Sequence, residues 1–181
     1  SPQFSYARLK DAYPRLGVEM GSTGEVASMG DNVYEALIKS ILSSGFVIPK
    51  KSIFISISGD NNRYKLLDTV QKLAALGFKL YATTSTHKFY MERNIHSTHL
   101  YKIHENKDSN ILNYMQTKEI ECVIHIEEPG RVYRHDDPYI IKRAAADYNI
   151  PLIQNIQLAK LFVNALYLKP NLIIKSWDEY S

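Results

Sequence analysis

The stretch Ser52-Ile53-Phe54-Ile55-Ser56-Ile57-Ser58 decides the fold of this chain. It is short, and its apolar residues are β-branched or aromatic, so it reads as a strand buried within a sheet. After it, Leu66, Leu67, Val70, Leu73 and Ala74 recur on one helical stripe, while Lys65, Asp68 and Lys72 face away and Gly77 ends the pattern. A buried strand followed by an amphipathic helix is the repeating unit of a parallel α/β fold.

The same alternation continues down the chain. A second strand is expected at 78–82, leading through Thr83-Thr84-Ser85-Thr86 into a short helix that ends near Asn94. A third strand at 99–103 precedes a helix from about Ser109, and a fourth strand spans 121–126. Asp137-Pro138 opens a helix, with Asp137 as N-cap and Ile140, Ile141, Ala144, Ala145 and Tyr148 as its apolar face. A short strand at 151–154 and a helix burying Ile156, Ala159, Phe162, Val163 and Leu166 complete the series. The chain is therefore expected to form a three-layer, doubly wound α/β domain on a parallel sheet of about five strands.

Residues 1–48 differ. They carry one helix, capped by Asp31 and turning Val33, Leu37 and Ile41 inward, after an extended Gly/Ser/Pro-containing stretch. The expected organisation is a connector over 1–48, the α/β domain over 49–168 and a tail over 169–181. Because the chain opens without methionine, it reads as a piece of something larger.

Composition narrows the function classes. Apolar residues make up 45% and charged residues 23%, as in ordinary globular domains. A net charge of +3 with scattered basic residues argues against nucleic acid, and no apolar run reaches the roughly 18 residues of a spanning helix. The single cysteine, Cys122, excludes an internal disulfide and fits a reducing, cytoplasmic setting. The six histidines show no H-E-x-x-H spacing, so no metal is expected. Neither a G-x-S-x-G elbow nor a P-loop is present, and Arg131, Arg134, His135 and Asp136-Asp137 read as a solvated charged loop.

Doubly wound folds bind ligands beyond the C-terminal ends of their strands. Here those ends are the loops at 58–63, 83–86, 102–105, 126–130 and 154–155. In Thr83-Thr84-Ser85-Thr86, four hydroxyl side chains meet a helix start, where free N–H groups and the helix dipole favour an anion. The same cluster also fits a plain N-cap. Lys102 follows the third strand at the same edge, as a compact charge for a phosphate or as a solvated lysine.

A resemblance adds to this reading. The segment Leu16-Gly17-Val18-Glu19-Met20-Gly21-Ser22-Thr23-Gly24-Glu25-Val26, approached by Pro2-Gln3-Phe4-Ser5 and Arg8-Leu9, closely resembles the end of the second ATP-grasp half of carbamoyl-phosphate synthetase large subunits. Residues 42–51 look like the eukaryotic linker that follows, and residues from about 52 to 168 resemble the family's methylglyoxal-synthase-like allosteric domain. The resemblance implies a non-catalytic regulatory module. Its parent would be an ATP- and Mg-dependent, glutamine-using synthetase of pyrimidine biosynthesis.

That resemblance also implies the effector contacts. The family's strand serine, two turn threonines and following lysine correspond to Ser56, Thr83, Thr86 and Lys102, with Thr84 in the same turn. Arg63 stands in for a lysine replaced by Asn61-Asn62, while His125 and Glu127 replace an asparagine and a threonine after the fourth strand. The implied partners are a uridine nucleotide or phosphoribosyl pyrophosphate and the synthetase domains of the parent. No cofactor is implied for the module itself. The animal family's loop tryptophan is absent near Lys102, and the only tryptophan is Trp177. An N-acetylglutamate sensor of the ammonia-using enzyme, a methylglyoxal-forming lyase and a self-association module (a homo-oligomer) are the alternatives.

Overall fold

In a computed structural model of the chain, the described residues are 2–3, 24–101, 105, 110–128, 130 and 137–180. Two short strands, β1 (Pro2–Gln3) and β2 (Gly24–Glu25), pair antiparallel ahead of helix α1 (Val33–Ser43). The main body follows as β3 (Ser52–Ile57), α2 (Asp60–Lys65), α3 (Leu67–Ala75), β4 (Lys79–Ala82) and α4 (Thr84–Met91). It continues through β5 (Thr98–His99), α5 (Ile111–Gln116), β6 (Val123–Ile126), α6 (Asp137–Asp147), β7 (Leu152–Ile153) and α7 (Ile156–Leu168).

The sheet is five-stranded, parallel throughout, in the order β5-β4-β3-β6-β7. The stretch quoted first is its central strand. Chain direction reverses across the sheet between β3 and β6, the switch point at which such folds open a crevice.

Two apolar clusters lie on opposite faces, which makes the domain three-layered. One joins Ile53, Ile55 and Ile57 of β3 to Val70 and Leu73 of α3 and to Phe162 and Val163 of α7; Ile38 and Ile41 of α1 belong to it as well. The other joins Phe54, Tyr81 and Val123 to Ile111 and Met115 of α5 and to Ile141, Ala144 and Ala145 of α6. Cys122 is buried in the first cluster, and burial pushes its thiol up to about 12, so it is inert.

Three local expectations are corrected. The cap of α1 is Asn32, not Asp31: its side chain accepts from the N–H groups of Tyr34 and Glu35, both at 3.0 Å. Val33 is 56% exposed, since it lies roughly 140° around the helix from Ile38, which sets the buried face. Residues 60–63, expected as loop, lie in α2; Asp60-Asn61-Asn62-Arg63-Tyr64-Lys65 has no apolar stripe to announce a helix. Among the described residues, no helix is long and apolar enough to cross a membrane.

Candidate functional site

Sheet register places the site. Phe54 is aligned with Tyr81 on one side and Val123 on the other, forming the last apolar row of the second cluster. Two residues further on, with side chains on the same face, the row becomes Ser56 on β3 and His125 on β6, which are register partners. The β3–β4 pairing runs through Ile55 and Ala82, and the Thr83 N–H reaches the Ile55 carbonyl at 3.4 Å, so Thr83 completes the row. Thr83, Ser56 and His125 thus form a polar floor above an apolar core, at the C-terminal edge and across the switch point.

One end of this floor is the start of α4. Thr83 is its N-cap but makes no side-chain cap bond. Among the described residues, no partner takes the backbone N–H groups of Thr84, Ser85 and Thr86. Their hydroxyls, in contrast, are engaged. Thr86 is wholly buried, and its Oγ1 accepts from the Ile57 N–H at 3.1 Å and donates to the Ile57 carbonyl at 3.3 Å. Thr84 Oγ1 lies 2.8 Å from His99 Nε2, and Ser85 Oγ accepts from Arg63 at 2.9 Å. The hydroxyls brace the turn, and the free backbone donors with the helix dipole make its entrance anion-favouring.

Arg63 is part of that bracing. It is buried, donates from Nε to the Ile57 carbonyl at 3.0 Å and pairs with Asp60. Gly59, just before α2, has φ +78 and ψ 134, a region open only to glycine, and a Cβ there would stand 3.0 Å from a Glu128 carboxylate oxygen. Gly59→Ala is expected to lose about 1–3 kcal/mol in a urea melt. An unchanged midpoint would show that this backbone conformation is not required.

The other end carries charge. His125 is 4% exposed, and among the described residues neither ring nitrogen has a hydrogen-bond partner; Nε2 stands 3.5 Å from Glu127 Oε1. Glu127 Oε2 accepts from Lys142 Nζ of α6 at 2.8 Å. The contact with His125, together with Lys142, outweighs burial and holds the Glu127 carboxyl down at about 2, so it is ionised at neutral pH. Lys142 itself is 0% exposed.

The residues read from sequence therefore divide. Ser56, Thr83 and His125 share one row at the C-terminal edge of the sheet, and Glu127 contacts His125 at its end; Thr84, Thr86 and Arg63 are tied into hydrogen bonds around the start of α4. Lys102 lies outside the described residues, as do Ile103 and His104. Lys142 was missed, although a signal exists: it shares a helix face with Ile141 and Ala145, so its charge points inward. Among the described residues, no group of three or more His, Cys, Asp or Glu side chains could hold a metal ion.

Residues 65–154 match the family model described as MGS-like domain. The chain is 41% identical over 175 residues to the multifunctional protein URA2 of Saccharomyces cerevisiae, covering 91% of this chain and 8% of that protein. It is 41% identical over 181 residues to the multifunctional protein CAD of Squalus acanthias, covering 92% and 8%. Against the mitochondrial carbamoyl-phosphate synthase (ammonia) of Homo sapiens, identity is 36% over 184 residues, covering 99% and 12%. The chain thus spans about a tenth of the length of these relatives. A solved methylglyoxal synthase from Elizabethkingia anophelis NUHP1 has the same fold, with a TM-score of 0.53 and 19% identity over 74% of this chain and 91% of that one.

Proposed function

Because residues 65–154 belong to the MGS-like domain family, we propose that this chain is the allosteric module of a glutamine-dependent carbamoyl-phosphate synthetase of pyrimidine biosynthesis. It binds a phosphorylated effector, a uridine nucleotide or phosphoribosyl pyrophosphate, and carries out no reaction itself. ATP and Mg belong to the synthetase domains of the parent chain. The observation that carries this reading is the polar row Thr83–Ser56–His125, which runs from the open N–H groups of α4 to a buried histidine whose ring nitrogens have no hydrogen-bond partner among the described residues. In this reading the effector phosphate sits at the start of α4, held by backbone N–H groups and Thr83, with Lys102 as the lysine that the family resemblance assigns to it. The rest of the ligand lies along Ser56 towards His125 and Glu127.

A thermal-shift series with uridine nucleotides, inosine monophosphate, phosphoribosyl pyrophosphate and N-acetylglutamate tests it. An effector bound only by the native state raises the midpoint with dose, by about 2.7 kcal/mol of stability at a hundredfold excess over Kd. A uridine nucleotide or phosphoribosyl pyrophosphate is expected to shift the midpoint, and Lys102→Ala to remove the shift. A response to N-acetylglutamate alone would reassign the module to the ammonia-using enzyme. Methylglyoxal formation from dihydroxyacetone phosphate would overturn its non-catalytic character.

A further inference from the structure

The tail beyond α7 runs back over α1, and charge rather than apolar burial keeps it there. We propose that residues 170–176 form an electrostatic latch, which holds the N-terminal turn of α1 and opens without unfolding the domain. The latch fixes the joint at which the chain arrives from the segment resembling a synthetase end. It stands or falls independently of the effector reading.

Helix α1 is held on two sides. Ile38 and Ile41 join Phe162 and Val163 of α7 in one apolar cluster. The polar side of α1 carries Glu35 and Lys39, one turn apart, which pair at 2.6 Å. The Glu35 carboxylate also accepts from the Asp31 N–H at 2.8 Å. Those two contacts, Lys39 first, hold the Glu35 carboxyl below the ordinary carboxylate range, so it is ionised at neutral pH.

The tail joins this row at both ends. Lys39 Nζ donates to the Ile173 carbonyl at 2.7 Å, and Lys175 Nζ meets both carboxylate oxygens of Asp31, at 2.6 and 2.7 Å. Tail and helix therefore run antiparallel, with Lys175 beside the start of α1. A lysine is disfavoured at a helix N-terminus, where the dipole is positive, so Asp31 is what keeps it there.

Apolar burial adds little. Leu172 is 41%, Ile173 47% and Ile174 97% exposed. What remains are exposed ion pairs, each of which biases an equilibrium only severalfold. Chain ends are ordered only where something ties them down, and segments with few buried apolar contacts open locally. The tail can thus leave α1 while the cluster beneath the helix stays packed. Opening frees the Asp31 carboxylate from Lys175 and leaves Asn32 and Glu35 to hold the first turn.

Hydrogen–deuterium exchange on the whole chain tests the latch. At about 0.01 M salt, Asp31→Asn and Lys175→Met should each exchange residues 31–36 and 172–176 about two- to fivefold faster than the unmodified chain. Raising the salt to about 1 M, where the screening length falls from roughly 30 to 3 Å, should do the same to the unmodified chain. Strands β3 and β6 should not change. Adding Lys175→Asp to Asp31→Lys should recover protection relative to Asp31→Lys alone, because the pair is restored with its signs exchanged. Unchanged exchange in the single variants, or acceleration confined to the tail, overturns the proposal. So does equal acceleration in β3 and β6, or an exchanged pair no better protected than Asp31→Lys.

Discussion

Phe54→Ala is expected to destabilise the domain by about 3–5 kcal/mol, the usual loss for emptying a fully buried phenylalanine site. Phe54 is 0% exposed in the middle of the central strand, with Tyr81 and Val123 beside it and helices α5 and α6 above. No neighbour can collapse into the space without breaking the ladder on both sides. For a chain of this length the change corresponds to a fall in Tm of roughly 10 °C. Denaturant unfolding with an unchanged slope measures it, and a loss under about 1 kcal/mol would mean that this row is not the centre of the core. Since Ser56 stands on the next row of the same face, the variant should also lose effector-induced stabilisation. Val33→Ala, at an exposed position, should change stability by no more than about 0.5 kcal/mol.

The second large effect concerns the buried ion pair. Lys142→Ala should cost about 3 kcal/mol, because breaking a buried pair leaves its other charge poorly solvated and removes the packed lysine stem. The partial exposure of Glu127 keeps the cost at the lower end of that range. Glu127→Gln/Lys142→Met should cost much less than the two single changes added, within about 1 kcal/mol of the unmodified chain. Additive losses in this cycle would show that the two side chains do not act as a pair.

A pH dependence accompanies it. The folded-state carboxyl of Glu127 sits at about 2, below the ordinary 4.5, held by His125 first and then by Lys142. Between those values the unfolded chain binds more protons than the folded one, so stability falls as pH falls. The contribution is complete above about pH 5 and gone near pH 2, amounting to roughly 1–2 kcal/mol after solvent screening. The double variant should lack this component of acid destabilisation.

How far the site could be read from the chain depended on which forces placed each residue. Thr83 to Thr86 were legible because a strand end and a helix start are local events, set by a few neighbouring residues. What the hydroxyls do there was not legible: Thr86 is bound to the Ile57 backbone, 29 positions away, and Thr84 to His99. Helix α2 escaped the sequence reading since Arg63 faces inward as a charge, so its buried side carries no apolar signal. Asn32 and Asp31 are equally good caps by residue type; in the fold Asn32 takes the cap, while the Asp31 carboxylate pairs with Lys175, 144 positions away.

For the stretch Ser52 to Ser58, the amino-acid sequence alone was enough to establish a buried parallel strand. Apolar periodicity reports local geometry, and five such strands with their helices leave few ways to bury both sheet faces. The tertiary structure decided which residues meet. Register set Thr83, Ser56 and His125 in one row, because a slip of one residue would have turned each of them to the opposite face. It also brought Lys142 of α6 to Glu127 after β6, so that a buried ammonium holds the carboxylate. Contacts of that kind depend on how whole layers stack, and no local pattern of residues encodes them.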